Sequence, residues 1–416
     1  MNYLLITHGT EGDVHPFVGL GIELKKRGHH VTLMTNALFA RHAHRHGFDF
    51  VPVGSEEEFR REMNDPDIWK SLPGAKILGR WMLRSMPIQY QAIVDRFVPG
   101  QTAIVASGAA IGARIAHETH QIPLTMIVLQ PAILRSAYAP PLVAGAPAIP
   151  AWVPASVIRA GLRILDVYLD RIFFVNKVNE FRAGFGLSPI KRMTHDWWFS
   201  PQRVIALFPN WYAPKQTDWP AQLDHADFPL FDERRDDHRL PDDLGAFLQE
   251  GDAPIAFTPG SGMMHAHDFF VQATKACQIL GKRGVLLTRF TNQVPKNLPS
   301  GVRHFDYVPF SLLLPRCSAM VHHGGIGTLS QAMIAGIPQL IMPLAYDQPD
   351  NAARLKRMGV ADAILPKHFR AHAVAKKLSR LLIDQQVSTQ CHHYAELLLQ
   401  AKPMETTCDL IEKVGC

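Results

Sequence analysis

Short apolar runs, each ended by a loop and followed by a stretch of helical spacing, recur along the first half of the chain. Residues 3–7, Tyr-Leu-Leu-Ile-Thr, form the first run, the pattern of a parallel strand covered on both faces. A glycine-bearing loop, 8–15, ends it. A helix is predicted from about Pro16, since proline at the first helical position lacks only an N–H that has no partner there. Phe17, Leu20 and Leu24 share one face of it. Lys25, Lys26 and Arg27 gather at its end, where cations suit the helix dipole. Further strands are predicted at 30–35, 48–53, 103–106, 123–128 and 204–207. Strands alternating with helices predict a parallel sheet with both faces covered.

The pattern then breaks and restarts. Residues 133–154 are rich in proline, alanine and other apolar types without periodicity, and read as a loop. Residues 155–174 read as a long helix with Arg159, Arg163 and Asp170 towards one side and Ile158, Leu162, Leu165 and Leu169 on the other. Two readings fit it: a helix packed on the first sheet, or a wall of an apolar pocket for an acceptor molecule. From 214 to 251 the chain is dense in Asp, Arg, Pro and Gln, including the charge run 232–237, and reads as a connection with exposed loops. Strands at 255–258, 284–288, 302–306, 319–322 and 339–342, with a Pro259-Gly-Ser-Gly262 turn and a helix over 268–280, predict a second sheet of the same kind. The expected organisation is a first domain at 1–215, a second at 216–388, and a helical 389–416 that crosses back to the first. Ligands of such sheets bind beyond the carboxyl ends of the strands, so two facing sheets would define a cleft.

Composition narrows the class. The chain has 416 residues, 47% hydrophobic and 19% charged, as expected of filled globular cores. No basic, apolar leader opens it, and no apolar run reaches the length of a membrane span, so the expected compartment is the cytoplasm. Five cysteines without CxxC spacing suggest neither a disulfide framework nor a zinc site. The net charge of +6 suits phosphorylated ligands, and a peripheral contact with the inner face of the membrane is a further expectation. Lysines and arginines form no stripe with interleaved aromatics, which argues against nucleic acid as a partner.

The densest chemical signal is the run Val321-His-His-Gly-Gly-Ile-Gly-Thr-Leu-Ser330. A buried strand enters a loop with three glycines, and a helix begins near Thr328. Glycines let the backbone approach a ligand, and a helix N-terminus offers unpaired N–H groups to phosphate. By themselves these glycines fit any tight strand–helix turn equally well. Downstream come Ala335-Gly-Ile-Pro338 and Pro343-Leu-Ala-Tyr-Asp-Gln-Pro-Asp-Asn351. Together these residues resemble the donor-binding signature of family 1 glycosyltransferases: H-x-G-x-[GN]-[ST], then G-[IV]-P, then P-x-x-x-D-Q-x-x-N. Gly9-Thr-Glu-Gly-Asp-Val-His-Pro16 resembles the N-terminal loop of the bacterial members. The likeness covers almost the whole chain. Within the family it is nearest to the rhamnosyltransferases of rhamnolipid synthesis, on Gly112-Ala-Arg-Ile-Ala-His-Glu118, the run 207–214, Asp218-Trp-Pro220 and the run 228–232.

The resemblance implies an α/β architecture of the GT-B type, two Rossmann-like doubly wound parallel-sheet domains facing a cleft. It implies that His323, Gly325, Gly327 and Thr328 hold a diphosphate together with Ser261. Tyr307 and Val308 would meet the base, and Asp347 and Gln348 the sugar hydroxyls. Gln331 stands where many plant members have a glutamate for the ribose, which leaves UDP and dTDP donors both open. Asp13 matches the position of the catalytic histidine or aspartate. Its plainer reading is a cap ahead of the Pro16 helix, and the two roles are compatible. His8 and His15 are secondary candidates for the base. Asp65-Pro-Asp67 matches a D-x-D metal motif, yet lies in a proline-bearing loop without the matching sheet context. No metal is expected, because the helix N-terminus and His323 can neutralise a leaving diphosphate. No cofactor is expected beyond the nucleotide sugar as co-substrate.

The function implied is inverting transfer of a hexose or deoxyhexose, rhamnose or glucose, from a dTDP- or UDP-sugar to a hydroxyl on a small apolar acceptor. A hydroxyalkanoyloxy fatty acid, as in rhamnolipid synthesis, is the expected acceptor. The alternatives are a natural-product glycosyltransferase acting on a polyketide, sterol or nucleoside, a nucleotide-sugar epimerase or hydrolase on the same scaffold, or a non-catalytic partner that binds a nucleotide sugar.

Overall fold

The structure, a computed structural model, describes residues 1–232 and 239–415. The charge run predicted as exposed loop at 232–237 lies outside the described residues after Asp232. The chain divides into two compact units. The first comprises 1–141, 147–229 and 402–416, the second 142–146 and 230–401.

The first unit is built on seven parallel strands: β1 (Asn2–Ile6), β2 (His30–Thr35), β3 (Asp49–Pro52), β4 (Thr102–Ser107), β5 (Leu124–Val128), β6 (Arg203–Ala206) and β7 (Leu223–His225), in the order β3-β2-β1-β4-β5-β6-β7. β1 pairs in register with both β2 and β4, Ile6 lying beside Met34 and Ala106. Leu4, Ile6, Ile104 and Ala106 sit in one core cluster with Trp81, Met82 and Met86 from the helix Ser71–Val94. That helix crosses the helix Ile111–His120 at Gly112, where a Cβ would lie 2.4 Å from the Met86 carbonyl. The resembling run 112–118 therefore has a packing reason. At its end Glu118 accepts a 2.9 Å hydrogen bond from Trp197 Nε1 and pairs with Arg182.

The second unit repeats the scheme with β8 (Ile255–Thr258), β9 (Gly284–Leu287), β10 (Val302–Phe305), β11 (Ala319–His322), β12 (Gln339–Ile341) and β13 (Ala361–Ala363), ordered β10-β9-β8-β11-β12-β13 and all parallel. Both sheets are doubly wound. Their strand order reverses between β1 and β4 in one and between β8 and β11 in the other. Ligands of open α/β sheets bind beyond the carboxyl ends at such switch points.

Several expectations need correction. The first helix runs Glu11–Lys26, so Pro16 lies inside it rather than at its first position. Thr10 is its N-cap and Asp13 its third residue. The capping interaction starts the helix early, and the proline is accommodated in its second turn, where it removes one i−4 bond. The first unit runs past residue 215 to Pro229, because β7 pairs with β6. The helical end is two helices: Gln385–Leu399 in the second unit and Pro403–Gly415 in the first. Most surprising is the helix Ala155–Phe173. Among its described side chains Asp166 and Asp170 are the buried ones, while Ile164 and Leu165 are exposed.

Candidate functional site

At the switch point of the first sheet, β1 ends and the chain turns through Thr7–Thr10 into the helix Glu11–Lys26. The Asp13 carboxylate folds back over this turn. It accepts hydrogen bonds from the Thr10 backbone N–H at 2.8 Å and the Thr10 hydroxyl at 3.3 Å. Thr7 Oγ1 donates to the Asp13 carbonyl at 2.9 Å. Gly9, at φ +135°, makes the arrangement fit: a Cβ there would lie 2.2 Å from Asp13 Oδ2. Part of the side chain remains open to solvent, yet the surrounding protein is dense enough that burial pushes the carboxyl up to about 6, against the two Thr10 bonds that favour the carboxylate. A carboxylate so poised is charged at neutral pH and basic enough to take a proton.

His8 packs its ring on Trp81 and against Phe59, and burial holds its imidazole neutral, well below the usual range. Its Nδ1 has no hydrogen-bond partner among the described residues; the same holds for Ser107 Oγ and Trp198 Nε1. Ser107 ends β4 beside β1, and Gly108 leaves room for the Trp198 indole, whose Nε1 would be 2.6 Å from a Cβ. Buried polar atoms of folded proteins are seldom left unpaired, so these three stand out. His15 stacks edge-on with the buried His42, ring centroids 5.6 Å apart. The carboxylates of Asp65 and Asp67 have structural work: one accepts the Asp67 N–H at 2.9 Å, the other pairs with Lys70 at 2.6 Å.

At the second switch point the loops after β8 and β11 meet. The His323 ring stands between two glycines: a Cβ on Gly260 would lie 2.8 Å from its Cε1, and one on Gly325 2.4 Å from its Nε2. Burial lowers its pKa to about 4, and its Nδ1 finds no partner among the described residues. The imidazole is therefore neutral and can offer a hydrogen bond. Gly325 is the N-cap of the helix Ile326–Ile334, which begins two residues before Thr328 and has no side-chain cap. Its first N–H groups can receive an anion. Ser261 is exposed on the turn after β8, and Thr328 and Gly327 lie in the first helical turn.

Two residues outside the expected site hold this loop. His322 is fully buried, accepts the Gly324 N–H on Nδ1 at 3.0 Å and meets Gln339 Oε1 through Nε2 at 2.9 Å. Those partners fix the tautomer with the proton on Nε2. Asn351 Nδ2 donates to the Gly324 carbonyl at 2.9 Å and to Asp347 Oδ2 at 2.6 Å, joining the glycine loop to the loop after β12. In that second loop the Gln348 side chain is buried, its Oε1 accepting the N–H groups of Leu344 and Ala345 at 2.7 and 3.1 Å. Asp347 stands at the N-cap position of the helix Gln348–Arg357 without a side-chain capping bond and stays partly exposed, preceded by Tyr346 at φ +57°, a conformation unusual for a bulky residue. Beyond β10, the Tyr307 ring carries Arg289 over one face at 5.0 Å, its hydroxyl donates to the Asp232 carbonyl at 2.7 Å, and Val308 is buried. Gln331 is buried within the helix that follows the glycine loop.

Residues 3–139 match the glycosyltransferase family 28 N-terminal domain, and residues 285–413 match the erythromycin biosynthesis protein CIII-like C-terminal domain. The first match contains the switch point between β1 and β4, and the second contains β11 and the glycine loop after it. The chain is a GT-B glycosyltransferase. The O-mycaminosyltylonolide 6-deoxyallosyltransferase of Streptomyces fradiae is 27% identical to it, over 99% of this chain and 97% of that protein. A glycosyltransferase of Amycolatopsis orientalis is 29% identical over 88% of this chain and 86% of its own length. A spinosyn rhamnosyltransferase solved with thymidine diphosphate superposes on this GT-B enzyme with a TM-score of 0.70, at 15% identity, over 99% of this chain and 100% of that one.

His322 and Asn351 were visible only as the ends of the donor motif. Their signal was polar identity inside a buried strand and four residues after Asp347, which without coordinates names no partner.

Proposed function

We propose that the enzyme transfers a hexose or deoxyhexose, rhamnose or glucose, from a dTDP- or UDP-sugar to a hydroxyl of a small apolar acceptor, with inversion in one displacement. The observation that carries this reading is the neutral His323 ring, held by Gly260 and Gly325 beside an uncapped helix N-terminus at the switch point of the second sheet. In it the diphosphate binds the N–H groups from Gly325 to Gly327, the Thr328 hydroxyl, Ser261 and His323. Tyr307 and the Val308 backbone receive the base. Asp347 accepts hydrogen bonds from sugar hydroxyls, while Gln348 holds the turn and offers its amide N–H.

Asp13 takes the proton of the acceptor hydroxyl as its oxygen bonds the anomeric carbon and the bond to the diphosphate oxygen breaks. Charge then grows on the diphosphate, where oriented N–H donors stabilise it without a cation. Thymidine diphosphate in two structural relatives supports a dTDP donor. The whole-chain likeness stated from the sequence favours rhamnose and a hydroxyalkanoyloxy fatty acid. The Streptomyces and Amycolatopsis relatives favour a second reading, a natural-product acceptor of macrolide or glycopeptide type. The enzyme works in the cytoplasm, with peripheral contact to the inner face of the membrane.

The test is a panel of dTDP- and UDP-sugars with lipid, polyketide and nucleoside acceptors, read by mass spectrometry. A glycosylated hydroxy fatty acid from dTDP-rhamnose supports the first reading. Product only with a polyketide moves the acceptor to the second. Sugar turnover in the absence of any acceptor would overturn both in favour of a hydrolase or epimerase.

A further inference from the structure

The helix Ala155–Phe173 is set into the first unit with its polarity inverted. Its inward side carries two carboxylates, Asp166 and Asp170, exposed by only 2% and 1%. Asp166 pairs with Arg135. Asp170 accepts the backbone N–H groups of Met193 at 2.7 Å and Thr194 at 3.2 Å. These bonds fix the rotation of the helix about its axis, because a half-turn would strand both acids and Arg135 without partners.

What faces water as a result is apolar. Val157, Ile164, Leu165, Val167, Tyr168 and Ile172 are between 44% and 73% exposed. Positions 157, 164, 168 and 172 follow helical spacing, so they form one stripe along the helix. Trp152, just before the helix, is 81% exposed, the most open large apolar side chain among the described residues. The charges that share this surface are of one sign. Arg163 and Arg171 are exposed, Arg159 lies over the Tyr138 ring, and no acidic side chain of the helix reaches solvent.

We propose that this helix and Trp152 form a surface that docks on an anionic lipid bilayer. The apolar stripe enters the boundary between headgroups and acyl chains, and Arg163 and Arg171 lie at the lipid phosphates. A single convex helix with an apolar stripe, cationic flanks and a neighbouring tryptophan suits a lipid surface, which needs no complementary groove. A second copy of the chain would bring arginines of like charge together. The proposal rests on the peripheral-membrane part of the reading above, and it locates the contact; it does not depend on the sugar or the acceptor.

The experiment is co-sedimentation of the full chain with vesicles of phosphatidylcholine alone and of phosphatidylcholine mixed with phosphatidylglycerol. Three variants accompany it: Ile164→Asp/Tyr168→Asp, Arg163→Glu/Arg171→Glu, and a control, Ile383→Asp, at an 80% exposed position of the second unit. The wild type and the control are expected to bind the mixed vesicles, less so at high salt, and each double variant to lose on the order of tenfold or more in partitioning. Unfolding midpoints and nucleotide-sugar turnover with a soluble acceptor are expected to stay unchanged, since the altered side chains are exposed. Binding retained by the double variants would overturn this surface while leaving the peripheral reading in place. Absence of wild-type binding to mixed vesicles would overturn both. Concentration-dependent dimerisation abolished by Ile164→Asp/Tyr168→Asp, without vesicle binding, would assign the face to a second copy instead.

Discussion

As the proposed base, Asp13 joins two demands that conflict. Its carboxylate is pressed among protein atoms, which raises its pKa to about 6, and a base must be ionised to act. The folded state therefore favours the protonated form relative to the unfolded chain. The stability this gives is present at low pH and is lost as pH rises through about 6. Asp13→Asn is expected to lower kcat roughly 10²–10⁴-fold with donor affinity retained. The same variant is expected to be more stable than wild type by about 1–3 kcal/mol above pH 6, the difference vanishing towards acid. Denaturant titrations at several pH values check this, and kcat/KM of the wild type should fall as pH drops through about 6. At Gly325 the backbone, φ −64°, accepts alanine, and a new methyl would meet the His323 ring, 2.4 Å from its Nε2. Gly325→Ala is therefore expected to displace His323 and to cut kcat/KM by on the order of 10²-fold, with a normal unfolding midpoint. An unaffected enzyme would remove His323 from the site.

At the scale of elements, the strand β11 and its loop are tied by a neutral histidine. His322 accepts from Gly324 through Nδ1, a bond lost when that nitrogen is protonated, and burial lowers its pKa to about 3. For a histidine lowered in this way, stability is full above the unfolded value of 6.5 and is lost as pH falls towards the folded value. The unfolding free energy should fall below pH 6.5, and His322→Gln should flatten that fall by about 1.4 kcal/mol per pH unit. A slope identical to wild type would show that His322 titrates normally. Most strands were legible as uninterrupted apolar runs, because burial on both faces leaves no room for polar alternation. β7 and β13 were not, being three-residue edge strands, Leu-Asp-His and Ala-Asp-Ala, paired on one side only. The helix 155–173 was legible as amphipathic, but amphipathicity does not say which side is buried. Asp166 and Asp170 decided that through Arg135 and the backbone at 193–194.

For the molecule as a whole, the last helix, Pro403–Gly415, belongs to the unit that holds the first strand. Cys408 and Ile411 are buried there, and Arg27 reaches Asp409 and Glu412 at 2.7 Å each. Cutting the chain after Ala401 is expected to destabilise the first unit by about 3–5 kcal/mol, through lost burial and exposed partners. Nucleotide binding by the second unit, followed by thermal shift with dTDP, should persist. Loss of both signals together would show that the two units do not unfold separately.

The amino-acid sequence by itself determined the two α/β units, because apolar runs and glycine turns are local properties, and its resemblance to family 1 glycosyltransferases named the loop at 323–328 and Asp13 as candidates. The tertiary structure alone decided how those residues are held. It put Gly260 and Gly325 on either side of His323, from loops after different strands, and made that ring neutral by burial. It folded Asp13 over Gly9 and raised its pKa. It also turned the apolar stripe of 155–173 outward. Each of these depends on neighbours distant along the chain, and periodicity carries no record of them.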